Sequence, residues 1–209
     1  MKKITLAFLI MFGLVTSAVA SQKSGCILAQ KGKIVVAWMA YKTPAKKGVS
    51  GVFDNAKYTP IAKDGKNFRE ILVGSKLSID TSSVNSKNKG RDAKLVKFFF
   101  EKMSSKKIEA KIVNIKADKK VKGKPRTGVV TLEITMNNIT KKVPMTYSFS
   151  NSVFSAKGTI DIFDFSANKA LISINKACFD LHQGKTWNDV TIAFTTRIEA
   201  VLCNAKPLK

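Results

Sequence analysis

The side chains able to do chemistry are few: one histidine, His182, and three cysteines, Cys26, Cys178 and Cys203. Cys178 lies four residues before His182, a spacing that shares a helical face and could pair a nucleophile with a base. The local run Ala177-Cys178-Phe179-Asp180-Leu181-His182-Gln183-Gly184 instead reads as the end of a strand and a loop. A metal wants three or four ligands, and no partner cluster accompanies these residues. There is no C-x-x-C, P-loop, dinucleotide glycine fingerprint or Gly-x-Ser-x-Gly. Asp161 with Asp164, and Asp118 in a lysine-rich stretch, read as surface ion-pair partners rather than acid/base groups. The expectation is a protein that is not an enzyme, with no catalytic residue, metal or cofactor.

The elements that would position such residues are mostly strands. Val130, Leu132, Ile134 and Met136 alternate with polar residues, as do Val143, Met145, Tyr147 and Phe149. The same period of two runs through Ile108 to Ile112 and Val190 to Ile198, the signature of antiparallel strands buried on one face. Ile34 to Tyr41, Leu77 to Asp80, Thr159 to Phe165 and Ala170 to Ile174 are shorter strand candidates. Asn137-Asn138 suits a tight hairpin because Asn tolerates positive φ, Gly123 to Arg126 closes another connection, and Lys116 to Lys124 reads as a solvated loop. Asp92 to Met103 breaks the pattern, with Leu95, Phe98, Phe99 and Met103 at helical spacing. Its Phe98-Phe99-Phe100 run is large for a surface element and should plug one end of a barrel. The expected fold is all-β: an antiparallel up-and-down barrel of about eight strands, closed so that no sheet edge is exposed, with a short helical segment near residues 92–103.

The ends of the chain and its charge place it. Lys2 and Lys3, the apolar run Ile4 to Leu14 and Ala18-Val19-Ala20 make residues 1–20 a cleaved signal peptide, with Ser21 the mature N-terminus. Residues 21–209 form one domain, expected in the periplasm. Lys23 precedes Cys26 where lipoprotein processing wants an apolar residue, so acylation there is not expected. Without Lys2 and Lys3, 35 basic residues stand against 14 acidic, a formal charge of +21. The lysines are scattered, with no stripe of interleaved stacking aromatics, which argues against nucleic acid. An oxidising compartment permits a disulfide. Three cysteines allow three pairings; a closed barrel makes its first and last strands neighbours, which favours Cys26 with Cys203 and leaves Cys178 a buried free thiol.

The motifs then follow a familiar order: Val36-Ala37-Trp38-Met39-Ala40-Tyr41-Lys42, Gly48-Val49-Ser50-Gly51-Val52-Phe53, Leu77-Ser78-Ile79-Asp80-Thr81, Gly90-Arg91-Asp92-Ala93-Lys94-Leu95 with Phe98-Phe99-Phe100, and Gly128 to Leu132 with Asn138 to Val143. Over roughly Ile34 to Ala200 the chain resembles the YceI-like family of bacterial lipid-binding proteins. The resemblance implies a lipocalin-like barrel with a long apolar cavity for a polyisoprenoid, an isoprenoid quinone or a fatty acid or amide, and a possible homodimer. Two departures stand out. Asn138 replaces a family glycine, and the family histidine after Arg-Asp is missing, with Lys94 nearby.

The inward residues expected to line such a cavity are Trp38, Phe53, Ile79, Leu95, Phe98, Phe99, Leu132, Ile134, Met145, Tyr147, Phe149, Phe163, Phe179 and Phe194. The residues by themselves fit a filled core equally well; the resemblance favours the hollow one. Arg91 and Asp92 either contact a ligand head group at the mouth or merely cap the helix. The alternative function is an exported structural or interaction module with a filled core, whose basic face docks on anionic membrane or an acidic partner.

Overall fold

The computed structural model describes residues 26–203; the expected signal segment, its cleavage point and Ser21 lie outside them. Eleven strands form one antiparallel sheet: β1 Cys26–Lys42, β2 Lys47–Phe53, β3 Ala56–Thr59, β4 Asp64–Gly65, β5 Lys76–Asp80, β6 Val84–Asn85, β7 Lys107–Ala117, β8 Arg126–Met136, β9 Ile139–Ser150, β10 Val153–Asp161 and β11 Thr186–Cys203. Three helices join them: α1 Phe68–Leu72, α2 Lys89–Phe98 and α3 Asn168–Ala177.

Some of the eleven are pieces of longer strands. β2 and β3 are two halves of one strand bent at Asp54-Asn55. β5 and β6 are two halves of another, broken by a 3₁₀ turn at Thr81–Ser83 that Asp80 caps by accepting from Ser82 N at 2.9 Å. Halves pair with halves, Val52 opposite Asn85 and Ala56 opposite Ile79. Across the two breaks Asp54 N donates to Ser83 O at 3.0 Å and Asp80 N to Asn55 O at 3.3 Å. Joined this way, the sheet runs β1, β2/β3, β5/β6, β7, β8, β9, β10, β11 and back to β1. That is an eight-stave up-and-down barrel with the lipocalin-like plan. Where β3 leaves β1, the short β4 takes its place, with Gly65 opposite Leu28.

Alternation decides the core. On β8 Val130, Leu132, Ile134 and Met136 are buried, and on β9 Val143, Met145 and Tyr147. The turn between them holds Asn137 at φ 53° and Asn138 at φ 63°, the two left-handed residues of a hairpin turn. Asn137 also accepts from Ser104 N at 2.7 Å and donates to Phe165 O at 2.9 Å, fixing the hairpin to the neighbouring loops.

The interior divides into two ends. At one, Phe68 of α1 meets Tyr147, Phe149 and Phe154 edge-on at centroid distances of 4.9–6.0 Å, and Phe154 stacks on Tyr147 and Phe194. That end is solid. At the other, α2 and α3 arch across the opening.

α3 corrects the sequence reading, which makes Ala170 to Ile174 a strand. Ala167, Ala170, Leu171, Ile174 and Cys178 are buried, a spacing only a helix supplies, while Ile172 is exposed. The expected strand Thr159 to Phe165 is also cut short: β10 ends at Asp161, whose side chain caps a 3₁₀ turn over Ile162–Phe165.

Candidate functional site

Beneath α2 and α3 lies a cavity of about 460 Å³. Strand ends form its wall: Trp38 and Ala40 of β1, Val49 and Phe53 of β2, Val84 of β6, Ile108 of β7, Met136 of β8, Ile160 of β10, Val190 and Ile192 of β11. Its roof is Leu95, Phe99 and Phe100 from the α2 region and Leu171, Ile174 and Cys178 from α3. Leu181, 62% exposed, belongs to the same wall, so the cavity reaches the surface.

Several contacts hold the wall in place. The Trp38 ring lies over Gly51, where a Cβ would stand 2.5 Å from the ring. The indole also donates to Val52 O at 3.4 Å. Across the mouth, Trp187 donates to Thr43 O at 2.8 Å, and the ammoniums of Lys46 and Lys185 each sit 4.8 Å from its ring. Lys46 pairs with Asp189 at 2.8 Å.

The polar groups of the wall cluster at this mouth. Lys42 ends β1, Arg91 and Lys94 stand on α2, and His182 follows α3. Arg91 is anchored by donating Nε to Ser86 Oγ at 2.7 Å and a terminal nitrogen to Ser86 O at 2.8 Å. Asp92 grips the same residue, accepting from Ser86 N at 2.9 Å and from its hydroxyl. It therefore ties the entry of α2, while the N-cap proper is Asn88.

His182 sits in a relay. Thr186 Oγ1 donates to Asn175 Oδ1 at 2.8 Å, so it accepts from His182 Nδ1, 2.7 Å away. The neutral ring keeps its proton on Nδ1 and leaves Nε2 bare. The imidazole thus bonds Thr186, and its link to Cys178 is only the main-chain bond His182 N to Cys178 O at 2.8 Å. Cys178 is buried, with a free thiol.

The YceI-like domain family matches residues 29–198, most of the chain. The chain belongs to the YceI-like family. Among curated proteins none matches it. Solved structures share the fold at low identity. One is a polyisoprenoid binding domain from Saccharophagus degradans implicated in plant cell wall breakdown, 12% identical, covering 83% of this chain and 98% of its own, TM-score 0.57. Another is Burkholderia cenocepacia BcnA, 15% identical, covering 79% and 96%, TM-score 0.52.

In this YceI-like barrel the expected lining residues separate by height. Trp38, Phe53, Leu95 and Phe99 are on the cavity wall, together with Arg91. Ile79, Ile134, Met145 and Tyr147 point inward but are packed in the core. Phe149 packs on Phe68, and Leu132 and Phe194 border a separate void of only about 30 Å³. Phe98 lies partly buried under Lys97, with the ammonium 5.4 Å from its ring. Phe163 and Phe179 are 46% and 58% exposed, because each follows the end of a regular element where alternation no longer applies. Asp92 is off the wall.

Burial, reinforced by the nearby Lys42 and Lys94, lowers the His182 pKa from 6.5. As this is the only imidazole, its ring proton can be followed by NMR without assignment, and a midpoint below 6.5 is expected in the ligand-free protein. The unfolded chain then binds the proton more readily than the folded one, so this group subtracts stability as pH falls through 6.5. A midpoint at or above 6.5 would contradict a ring that is part-buried with the two lysines nearby.

Proposed function

We propose that this protein is a carrier that sequesters an apolar long-chain molecule in the barrel, a polyisoprenoid, an isoprenoid quinone or a fatty acid or amide, in the periplasm. The observation that carries the reading is the 460 Å³ cavity, apolar except at its mouth. Each methylene taken from water into such a space contributes roughly 0.8 kcal/mol, so ten contribute on the order of 8 kcal/mol before ordering losses. The polyisoprenoid binding of the fold relative in Saccharophagus degradans supports the same direction.

Export fits the remaining features. The register sets Cys26 opposite Cys203 at the two ends of the barrel seam. Directly opposed antiparallel residues have Cα atoms about 4.5–5.5 Å apart, within the reach of a disulfide. A bond there joins the first stave to the last. Around the mouth, Ile172, Phe179 and Leu181 are exposed among Lys169, Lys176 and Lys185, a surface suited to touching anionic membrane while a chain is handed over.

Organic extraction of protein purified from the periplasm, followed by mass spectrometry, is expected to release a long-chain lipid. The polypeptide itself should begin at Ser21 and gain two mass units on reduction. No lipid in the extract, together with failed titration by isoprenoid quinones and fatty acids, would remove the carrier reading.

A further inference from the structure

Three permanent cations, Lys42, Arg91 and Lys94, stand on the cavity wall. Lys42 comes from β1, Arg91 and Lys94 from α2, and His182 from the segment after α3, yet no carboxylate belongs to the wall among the described residues. Lys42 and Lys94 line the same cavity as His182, and both disfavour the charged form of its imidazole. Arg91 commits two of its five N–H groups to Ser86, which fixes the guanidinium and leaves donors over. Like charges gathered beside an apolar space repel one another, and in that low-dielectric setting an anion relieves them more strongly than it would in open water. The rim acid Asp189 is occupied with Lys46, and Asp92 with Ser86.

Volume sets the length of what enters. An apolar cavity of about 150 Å³ takes one benzene, six carbons. By that measure 460 Å³ holds about eighteen carbons. An isoprenoid of about forty carbons would need roughly twice the space.

Resting on the carrier reading, we propose that the ligand is a single-chain amphiphile of sixteen to eighteen carbons with an anionic head, a carboxylate or a phosphate, seated among Lys42, Arg91 and Lys94. Permanent positive charge at Lys42, Arg91 and Lys94 selects an anion, where a neutral head would need only a hydrogen bond.

The chain's two tryptophans, Trp38 and Trp187, both stand on the wall, so their fluorescence reports occupancy directly. Delipidated protein is titrated at pH 8 with oleic acid, hexadecyl phosphate and oleamide. At least one anion is expected to bind about tenfold or more tightly than the amide, the scale of a hydrogen bond to a charged group. The tighter anion names the head. In Lys42→Gln/Lys94→Gln the preference should shrink below threefold, while Lys111→Gln/Lys157→Gln, on the outer faces of β7 and β10, should keep it. Oleamide binding as tightly as both anions overturns the inference and leaves the carrier reading standing. So does a preference that survives in the Lys42/Lys94 variant. Failure of all three probes to bind also overturns the inference, and the carrier reading then rests on lipid in the organic extract and on titration with isoprenoid quinones.

Discussion

Ala40→Phe will lose most of its affinity for an eighteen-carbon chain and keep its fold. Ala40 lies in β1 between Val49 and Val190, its cross-strand partners, and all three stand on the cavity wall. It shares the inward face of the strand with Trp38 and Lys42, two residues to either side. A phenyl ring added there takes about 150 Å³, the volume that admits one benzene. From 460 Å³ this leaves room for about twelve carbons instead of about eighteen. Six displaced methylenes at roughly 0.8 kcal/mol each amount to about 5 kcal/mol, on the order of a thousandfold in Kd. Overpacking, which destabilises a filled core by about 1–3 kcal/mol, is relieved here because the ring enters space that is already vacant. Cavity filling often adds about 0.5–2 kcal/mol, so the midpoint of thermal unfolding should hold or rise. Oleate titration by tryptophan fluorescence, with a melting curve on the same sample, checks both halves. A variant that binds oleate within tenfold of the parent would place the chain somewhere other than this cavity.

The staves were legible because a strand with one wet face must alternate. β8 and β9 show it most clearly: every second residue from Val130 to Met136 and from Val143 to Tyr147 is buried. What alternation reports is inside or outside. It carries no information on height along the barrel axis, and height separates a cavity wall from a packed plug. Trp38 and Met145 read identically in sequence, yet one borders open space and the other is buried within the core. At one end the filling comes from Phe68, far away in sequence, whose ring meets Tyr147, Phe149 and Phe154.

α3 was misread for a related reason. Ile172 and Ile174 are β-branched and two apart, which suggests one face of a strand, but Ile172 is 67% exposed and Ile174 is buried. A longer window holds the helical signal, since Ala167, Ala170, Leu171, Ile174 and Cys178 fall on one stripe. The basic mouth was partly visible as well. Lys42 shares the parity of Trp38 and Ala40, so it is a lysine on an inward face.

Gly128→Ala will be the most damaging small substitution at a glycine of the sheet. Gly128 lies in β8 between Ala117 of β7 and Tyr147 of β9. A Cβ built on it would stand 2.2 Å from the Lys116 carbonyl oxygen, 2.9 Å from the Ala117 Cα and 2.7 Å from the Tyr147 ring. Two of those neighbours are backbone and cannot rotate away. The third is a fully buried ring stacked on Phe154, 4.8 Å away, within the aromatic end of the barrel. Relief therefore means parting β7 from β8 or moving the plug, and either loses packing worth several methylenes. A loss of about 3 kcal/mol or more is expected, at the upper range of overpacking. Gly32 supplies the contrast: its φ is +69°, but nothing lies within 4 Å of its Cβ position. Gly32→Ala should lose only the roughly 1 kcal/mol of a left-handed residue. Urea unfolding of both variants measures the difference, and equal losses would show that the close approach at Gly128 is not what holds the two strands to the plug.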